Sequence, residues 1–229
     1  MLTTVPIQAK DPAEVAAVLK KKQPAVQVYE IWLDHLKRKY WQAGHVAEMV
    51  SDWRKITQKK LVVVCKDRSE RGLFEESDRT RADLLIAAAQ SGADFIDVPE
   101  YLKLSELKRV IVMKKKARLI LSHHDFEQTP PLRVLESRSK RMFHLGADVV
   151  KIATMVHCPE DNEALMTLAL DLKKARLKHV VLGMGQLGVM TRVFAGKMGN
   201  ELNFVTLESK TAPGQLSLEQ MLKLEKLLR

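Results

Sequence analysis

The sequence predicts an α/β protein, a single-domain (β/α)8 TIM barrel over residues 1–229. Three observations carry this. Eight short runs of β-type composition alternate with longer amphipathic segments along the whole chain. The repeat is about 25 to 30 residues, as a strand joined to a parallel partner through a crossover helix requires. No Pro/Gly/Ser-rich linker or low-complexity tract divides the 229 residues, a length at which one α/β barrel is ordinary. Alternating strands and helices imply a parallel sheet, and eight units imply that it closes. The competing architecture is an open doubly wound sheet.

In order, LTTVPIQ (2–8) leads into PAEVAAVLKKK, with Pro12 early in the helix. AVQVYEIW (25–32) precedes HVAEMVSDWRKI. KLVVVCK (60–66) precedes RTRADLLIAAAQSG, which stops at Ser91–Gly92. ADFIDV (93–98) leads to LSELKRVIVMKKK. ARLILSHH (117–124) is followed by TPPLRVLESRSKRMFHLG, opened by Pro130 and Pro131 and ended by Gly146. ADVVKIAT (147–154) precedes PEDNEALMTLALDLKKAR, and HVVLGM (179–184) precedes GVMTRVFAGKMG (188–199). ELNFVTL (201–207) and SLEQMLKLEKLLR close the chain.

Lys and Arg number 38 against 28 Asp and Glu, and the pI is about 9.6. Such a balance admits a nucleic acid, an anionic surface or a small anionic substrate. The basic residues are spread along the chain, aromatics are 5%, and no RNP, zinc-finger or basic-zipper pattern occurs. A nucleic-acid partner is therefore not expected. Two cysteines, Cys65 and Cys158, form no disulfide framework, which suits a reducing cytoplasm. The N-terminus lacks signal-peptide character. No apolar run reaches the roughly 18 residues of a membrane span, so no membrane partner is expected.

In a barrel, chemistry belongs at the C-terminal ends of the strands. Glu30 and Trp32, Lys66, His124, Lys151, and Met184 with Gly185 fall at or near such ends. Lys151 is the anomaly, a lysine inside the apolar run VVKIA. Either its head snorkels to water, or a neutral amine is held in a dry pocket as a nucleophile. Polar strand ends gathered at one rim favour the second. His124 and Lys151 lie 27 residues apart, one βα unit. An amine there can form an iminium with a ketone, and an imidazole can move the proton that the iminium acidifies. Strand periodicity does not choose between His123 and His124. HHD and the HC at 157–158 show no recognised zinc spacing. GMGQLG (183–188) satisfies GxGxxG, but it falls after the seventh strand and lacks a well-placed acidic residue, so a dinucleotide site is not expected. Met184, Met190 and Met198 read as packing residues, and RSERGLFEES as a mobile loop or a lid.

SHHDF (122–126), VVKIA (149–153), MGQLGVMTR (184–192) and TAPGQLS (211–217) together resemble type I 3-dehydroquinate dehydratases, the Schiff-base enzymes of the shikimate pathway. The family typically reads S-x-H-D-F, V-K-I-A, M-G-x-x-G-x-x-S-R and S-A-P-G-Q-x-S in that order. The resemblance covers nearly the whole chain. It implies Lys151 as the Schiff-base lysine, His124 as the general acid/base and Glu70 as the carboxylate paired with that histidine. It further implies Arg192 on the substrate carboxylate, with Glu30, Lys66, Thr211 and Gln215 around the ring. No metal or organic cofactor is implied, and a homodimer is common in the family. Two departures stand out. Trp32 replaces the arginine of E-x-R-x-D, and in CKDRSERGL Lys66 replaces the substrate-facing arginine while Arg71 replaces a glycine. An alternative register would bring Arg68 into the site instead.

Overall fold

The structure is a computed structural model that describes residues 1–207 and 212–227. Its eight strands are β1 (Leu2–Ile7), β2 (Val28–Trp32), β3 (Lys60–Val64), β4 (Phe95–Pro99), β5 (Arg118–Asp125), β6 (Val149–Met155), β7 (His179–Met184) and β8 (Leu202–Phe204). The helices are α1 (Pro12–Lys20), α2 (Ala43–Ile56), α3 (Asp78–Gln90), α4 (Leu104–Met113), α5 (Leu132–His144), α6 (Pro159–Lys174), α7 (Val189–Val193) and α8 (Leu218–Leu227). One helix follows each strand.

The strands form one sheet in the order β7-β6-β5-β4-β3-β2-β1-β8. The β1–β8, β2–β3, β3–β4 and β6–β7 pairings are parallel. Beyond the last strand in that order, Glu201 N donates to His179 O at 2.8 Å, tying β7 to the approach of β8. A doubly wound sheet would reverse its strand order at a switch point, and this one does not. The fold class is the (β/α)8 barrel.

By its internal contacts the chain divides into two compact units, Pro6–Leu121 and Met1–Val5 with Ser122–Arg229. In the first, Val28, Tyr29, Ile31, Leu61, Val63, Phe95 and Ile96 of the strands are fully buried, as are Val50, Leu84 and Leu85 of the helices. In the second, Val149, Val150, Ile152, Val180 and Val181 are buried with Leu135, Met142, Leu165 and Leu168. Covered on both faces, such strands read as continuous apolar runs rather than alternations.

Several boundaries differ from expectation. Pro130 and Pro131 precede α5, and Pro131 is its extended N-cap. The stretch 188–199 is helical only over Val189–Val193, because beyond it Gly199 turns at φ 90° and Asn200 N folds back to Ala195 O. Lys151 does not stand near the end of its strand: β6 runs four residues past it, to Met155.

Candidate active site

In the unit Pro6–Leu121, Glu30 and Trp32 alternate on one face of β2, and both are buried. The Trp32 indole Nε1 donates to Glu30 Oε2 at 2.8 Å. Lys66, also buried, places its ammonium 4.9 Å from the centroid of the Trp32 ring. The Lys66 backbone is pinned from below by Asp34, whose carboxylate accepts from Lys66 N at 2.9 Å and from Leu73 N at 3.1 Å. Burial pushes the Asp34 carboxyl up to about 6 in spite of those two donors. Arg68 is not the inward cation. Its side chain is 82% exposed and ion-pairs with Glu75, whereas Lys66 is the buried cation of CKDRSERGL.

Glu70 is buried in a 3-10 turn over Arg68–Glu70. The Tyr101 hydroxyl lies between two carboxylates, 3.2 Å from Glu70 Oε2 and 2.9 Å from Asp67 Oδ2. Arg81 Nη2 donates to the same Asp67 oxygen at 2.6 Å, and its guanidinium rests 5.3 Å from the Phe74 ring centroid. Burial pushes the Asp67 carboxyl up, but the bonds from Ser69, Arg81 and Tyr101 outweigh it and bring the group down to about 2. Arg71 adopts φ 61°, the left-handed region that suits the glycine it replaces. A Cβ on Gly72 would sit 2.1 Å from Lys66 O, and Phe74 N returns to that same oxygen at 3.0 Å. The RSERGLFEES stretch is thus folded onto its own strand end.

In the other unit, Lys151 is 4% exposed, and its ammonium stands 4.5 Å from the centroid of Phe204 on β8. It does not snorkel. His124, half-buried on β5, stacks on Phe126 with centroids 6.0 Å apart. Its neighbour His123 accepts at Nδ1 from Arg138 Nη1 of α5 at 3.1 Å. His123 therefore faces the helix layer, and strand alternation turns His124 to the opposite face.

Arg192 on α7 is 2% exposed. Among the described residues, its Nε and Nη1 have no hydrogen-bond partner, and burial lowers its guanidinium to about 10. The turn before it is held by Thr191, whose Oγ1 accepts from Gly183 N at 2.7 Å and donates to Gly188 O at 2.8 Å. A Cβ on Gly188 would meet Gly183 C at 2.5 Å, so two glycines of GMGQLG serve close backbone packing. The third, Gly185, donates its N–H to Pro213 O at 3.3 Å. Gly214, at φ 75°, lies so close that its Cβ would be 2.1 Å from Gly185 O. Gln215 follows it, 1% exposed. Thr211 lies outside the described residues. Met184 and Met198 are buried as expected, but Met190 on α7 is 51% exposed.

Among the described residues no three His, Cys, Asp or Glu side chains are grouped to hold a metal ion, and no helix is long and apolar enough to cross a membrane. Sequence reasoning missed Asp34, Asp67, Arg81, Tyr101 and Phe204. Asp34 carried a signal, the last position of EIWLD; the others carried none.

The family model for type I 3-dehydroquinase matches residues 3–229. A 3-dehydroquinate dehydratase of Methanosarcina mazei is 30% identical, over 96% of this chain and 96% of that protein. One from Pyrococcus abyssi is 31% identical, over 93% of this chain and 92% of its own length. The crystal structure of a type I 3-dehydroquinate dehydratase from Clostridium difficile with covalently modified comenic acid superposes with a TM-score of 0.90 at 26% identity, covering 99% of this chain and 91% of that one. The chain is accordingly an enzyme, a hydro-lyase built on a (β/α)8 barrel. It belongs to the type I 3-dehydroquinase family.

Proposed function

We propose that this enzyme converts 3-dehydroquinate to 3-dehydroshikimate and water through a covalent iminium on Lys151. The observation that carries the reading is the burial of Lys151 in mid-strand, where it is 4% exposed. A dry setting favours the uncharged, nucleophilic amine over the ammonium. Lys151 Nζ adds to the ketone carbon, and loss of water gives the iminium. His124 removes the proton alpha to the iminium, and the electron pair is held as an enamine. The enamine expels the hydroxyl, which takes the proton back from His124 and leaves as water. Hydrolysis of the remaining iminium frees the lysine. The lysine itself is the electron sink, so the sequence requires no added cofactor.

Arg192 anchors the substrate carboxylate. Its unpartnered Nε and Nη1 support this role, since a guanidinium fork suits a planar anion. Glu30, Lys66, Thr211 and Gln215 take the ring-binding roles of the family pattern, and Glu70 the role of orienting the catalytic imidazole. We further infer one folding domain, a homodimer and a cytoplasmic location, with neither nucleic acid nor membrane as partner. Light scattering tests the dimer.

The deciding experiment is intact-mass analysis after sodium borohydride reduction with 3-dehydroquinate. Wild type gains a ligand-sized adduct and Lys151→Ala gains none. An adduct that persists in Lys151→Ala, or no adduct in wild type at saturating ligand, overturns the mechanism.

A further inference from the structure

We propose that Trp32 is a positioning residue that joins Glu30 and Lys66 into one recognition unit, in which Trp32 and Lys66 together stand in for the two family arginines. The inference rests on the dehydroquinase reading above. In sequence, Trp32 and Lys66 are two independent losses, one of charge and one of a donor fork. In space they touch, with the Lys66 ammonium 4.9 Å from the Trp32 ring centroid. The indole has one donor and no acceptor, and that donor is given to Glu30 Oε2 at 2.8 Å. Trp32 thus holds the Glu30 carboxylate as an arginine would, but without a charge. What remains of it is an aromatic face, which attracts a cation through the ring quadrupole, and Lys66 occupies that face.

The arrangement follows from the burial of all three side chains. The neutral indole donates to the buried Glu30 carboxylate and offers its face to the buried Lys66 ammonium, so it bridges the two charges without adding one. The unit has a fixed base, since Asp34 holds the Lys66 backbone N–H at 2.9 Å. Reverting one member alone should therefore harm it. Trp32→Arg would set a guanidinium against the Lys66 ammonium and remove the ring on which that ammonium rests.

Kinetics on 3-dehydroquinate test the proposal. Trp32→Phe keeps a ring and deletes the N–H. KM should rise about tenfold, the scale of one hydrogen bond to a charged group, while kcat changes by less than about threefold. In a Glu30→Ala background the same change should have no further effect on KM, because Trp32 acts through Glu30. An unchanged KM in the single variant, or a full additional rise in the double, overturns the proposal. A second arm needs no turnover. The indole N–H resonance of Trp32, assigned by its absence in Trp32→Phe, should move upfield in Glu30→Ala and shift in Lys66→Met. If neither substitution moves it, the unit does not exist. A wild type that fails to turn over 3-dehydroquinate refutes the functional reading instead, and the resonance still decides whether the three residues act together.

Discussion

Replacing Arg192 with methionine should make the protein more stable and much less able to bind its substrate. The guanidinium ordinarily titrates near 12.5 and burial holds it down to about 10. At about 1.4 kcal/mol per tenfold, that gap sets about 3 kcal/mol against the charged form in the folded state. The sign follows from the order of the two values. The folded value lies below the unfolded one, so the penalty is present in full at pH 7 and is relieved only as pH rises through 10. The two nitrogens without a partner among the described residues, Nε and Nη1, add to it. Methionine follows a similar path with no polar atom to satisfy, and replacing buried charge by apolar bulk can stabilise by about 1–4 kcal/mol. We expect a gain of about 2–3 kcal/mol in urea unfolding at pH 7, or about 5–10 °C in thermal midpoint for a chain of this size. The KM for 3-dehydroquinate should rise at least about 100-fold. A less stable Arg192→Met would refute the reasoning, because it would mean that the guanidinium is satisfied in the folded protein and is not waiting for an anion.

Asp34 should leave a mark on the pH dependence of stability. Its folded value, about 6, lies above the unfolded 3.8, so its contribution is greatest below 3.8 and falls as pH rises through 6. The stability of wild type relative to Asp34→Asn, from urea curves between pH 4 and pH 7, should therefore decline by up to about 3 kcal/mol as pH increases; a flat difference would contradict it. Gly214→Ala forces a Cβ to within 2.1 Å of Gly185 O at φ 75°. It should lower the thermal midpoint by several degrees and raise KM by displacing Gln215, as circular dichroism and initial rates would show. Tyr101→Phe removes the hydroxyl between Asp67 and Glu70 and should cost about 1 kcal/mol in urea unfolding.

The fold was legible because its signal is local and repeated. A parallel strand buried on both faces must be apolar from end to end, and KLVVVCK and HVVLGM could be little else. The ends of strands and helices were less legible, because backbone partners elsewhere set them. Nothing in ADVVKIATMV says that pairing with β7 continues to Met155↔Met184, and that continuation is what puts Lys151 in the dry middle of its strand. The helix expected over 188–199 contains GVMTRVFAGK with a plausible period. Only Val189–Val193 is helical, and beyond it the chain turns at Gly199, φ 90°, with Asn200 N returning to Ala195 O.

The same distinction explains the candidate site. The resemblance to the type I family brought out His124, Arg192 and Gln215 through the order of its motifs, whereas Lys151 was also anomalous by itself, a lysine within an apolar strand. The residues around Glu70 were invisible. Tyr101 lies 31 residues away from it in sequence, and nothing in EYLKL marks that tyrosine as a hydrogen-bond partner. The choice between Lys66 and Arg68 was likewise undetermined by sequence. In the structure Lys66 is buried, with its backbone N–H on Asp34, 32 residues upstream, and Arg68 is exposed and paired with Glu75. Trp32 is the instructive case. Position by position, an arginine replaced by tryptophan is a lost charge. The indole N–H on Glu30 and the ring beneath Lys66 change that reading, because a substitution judged alone is judged without the neighbour that changed with it. Departures from a family pattern that fall on adjacent strand ends are therefore better read as pairs, and their cost is better measured by double-mutant cycles than summed from single replacements.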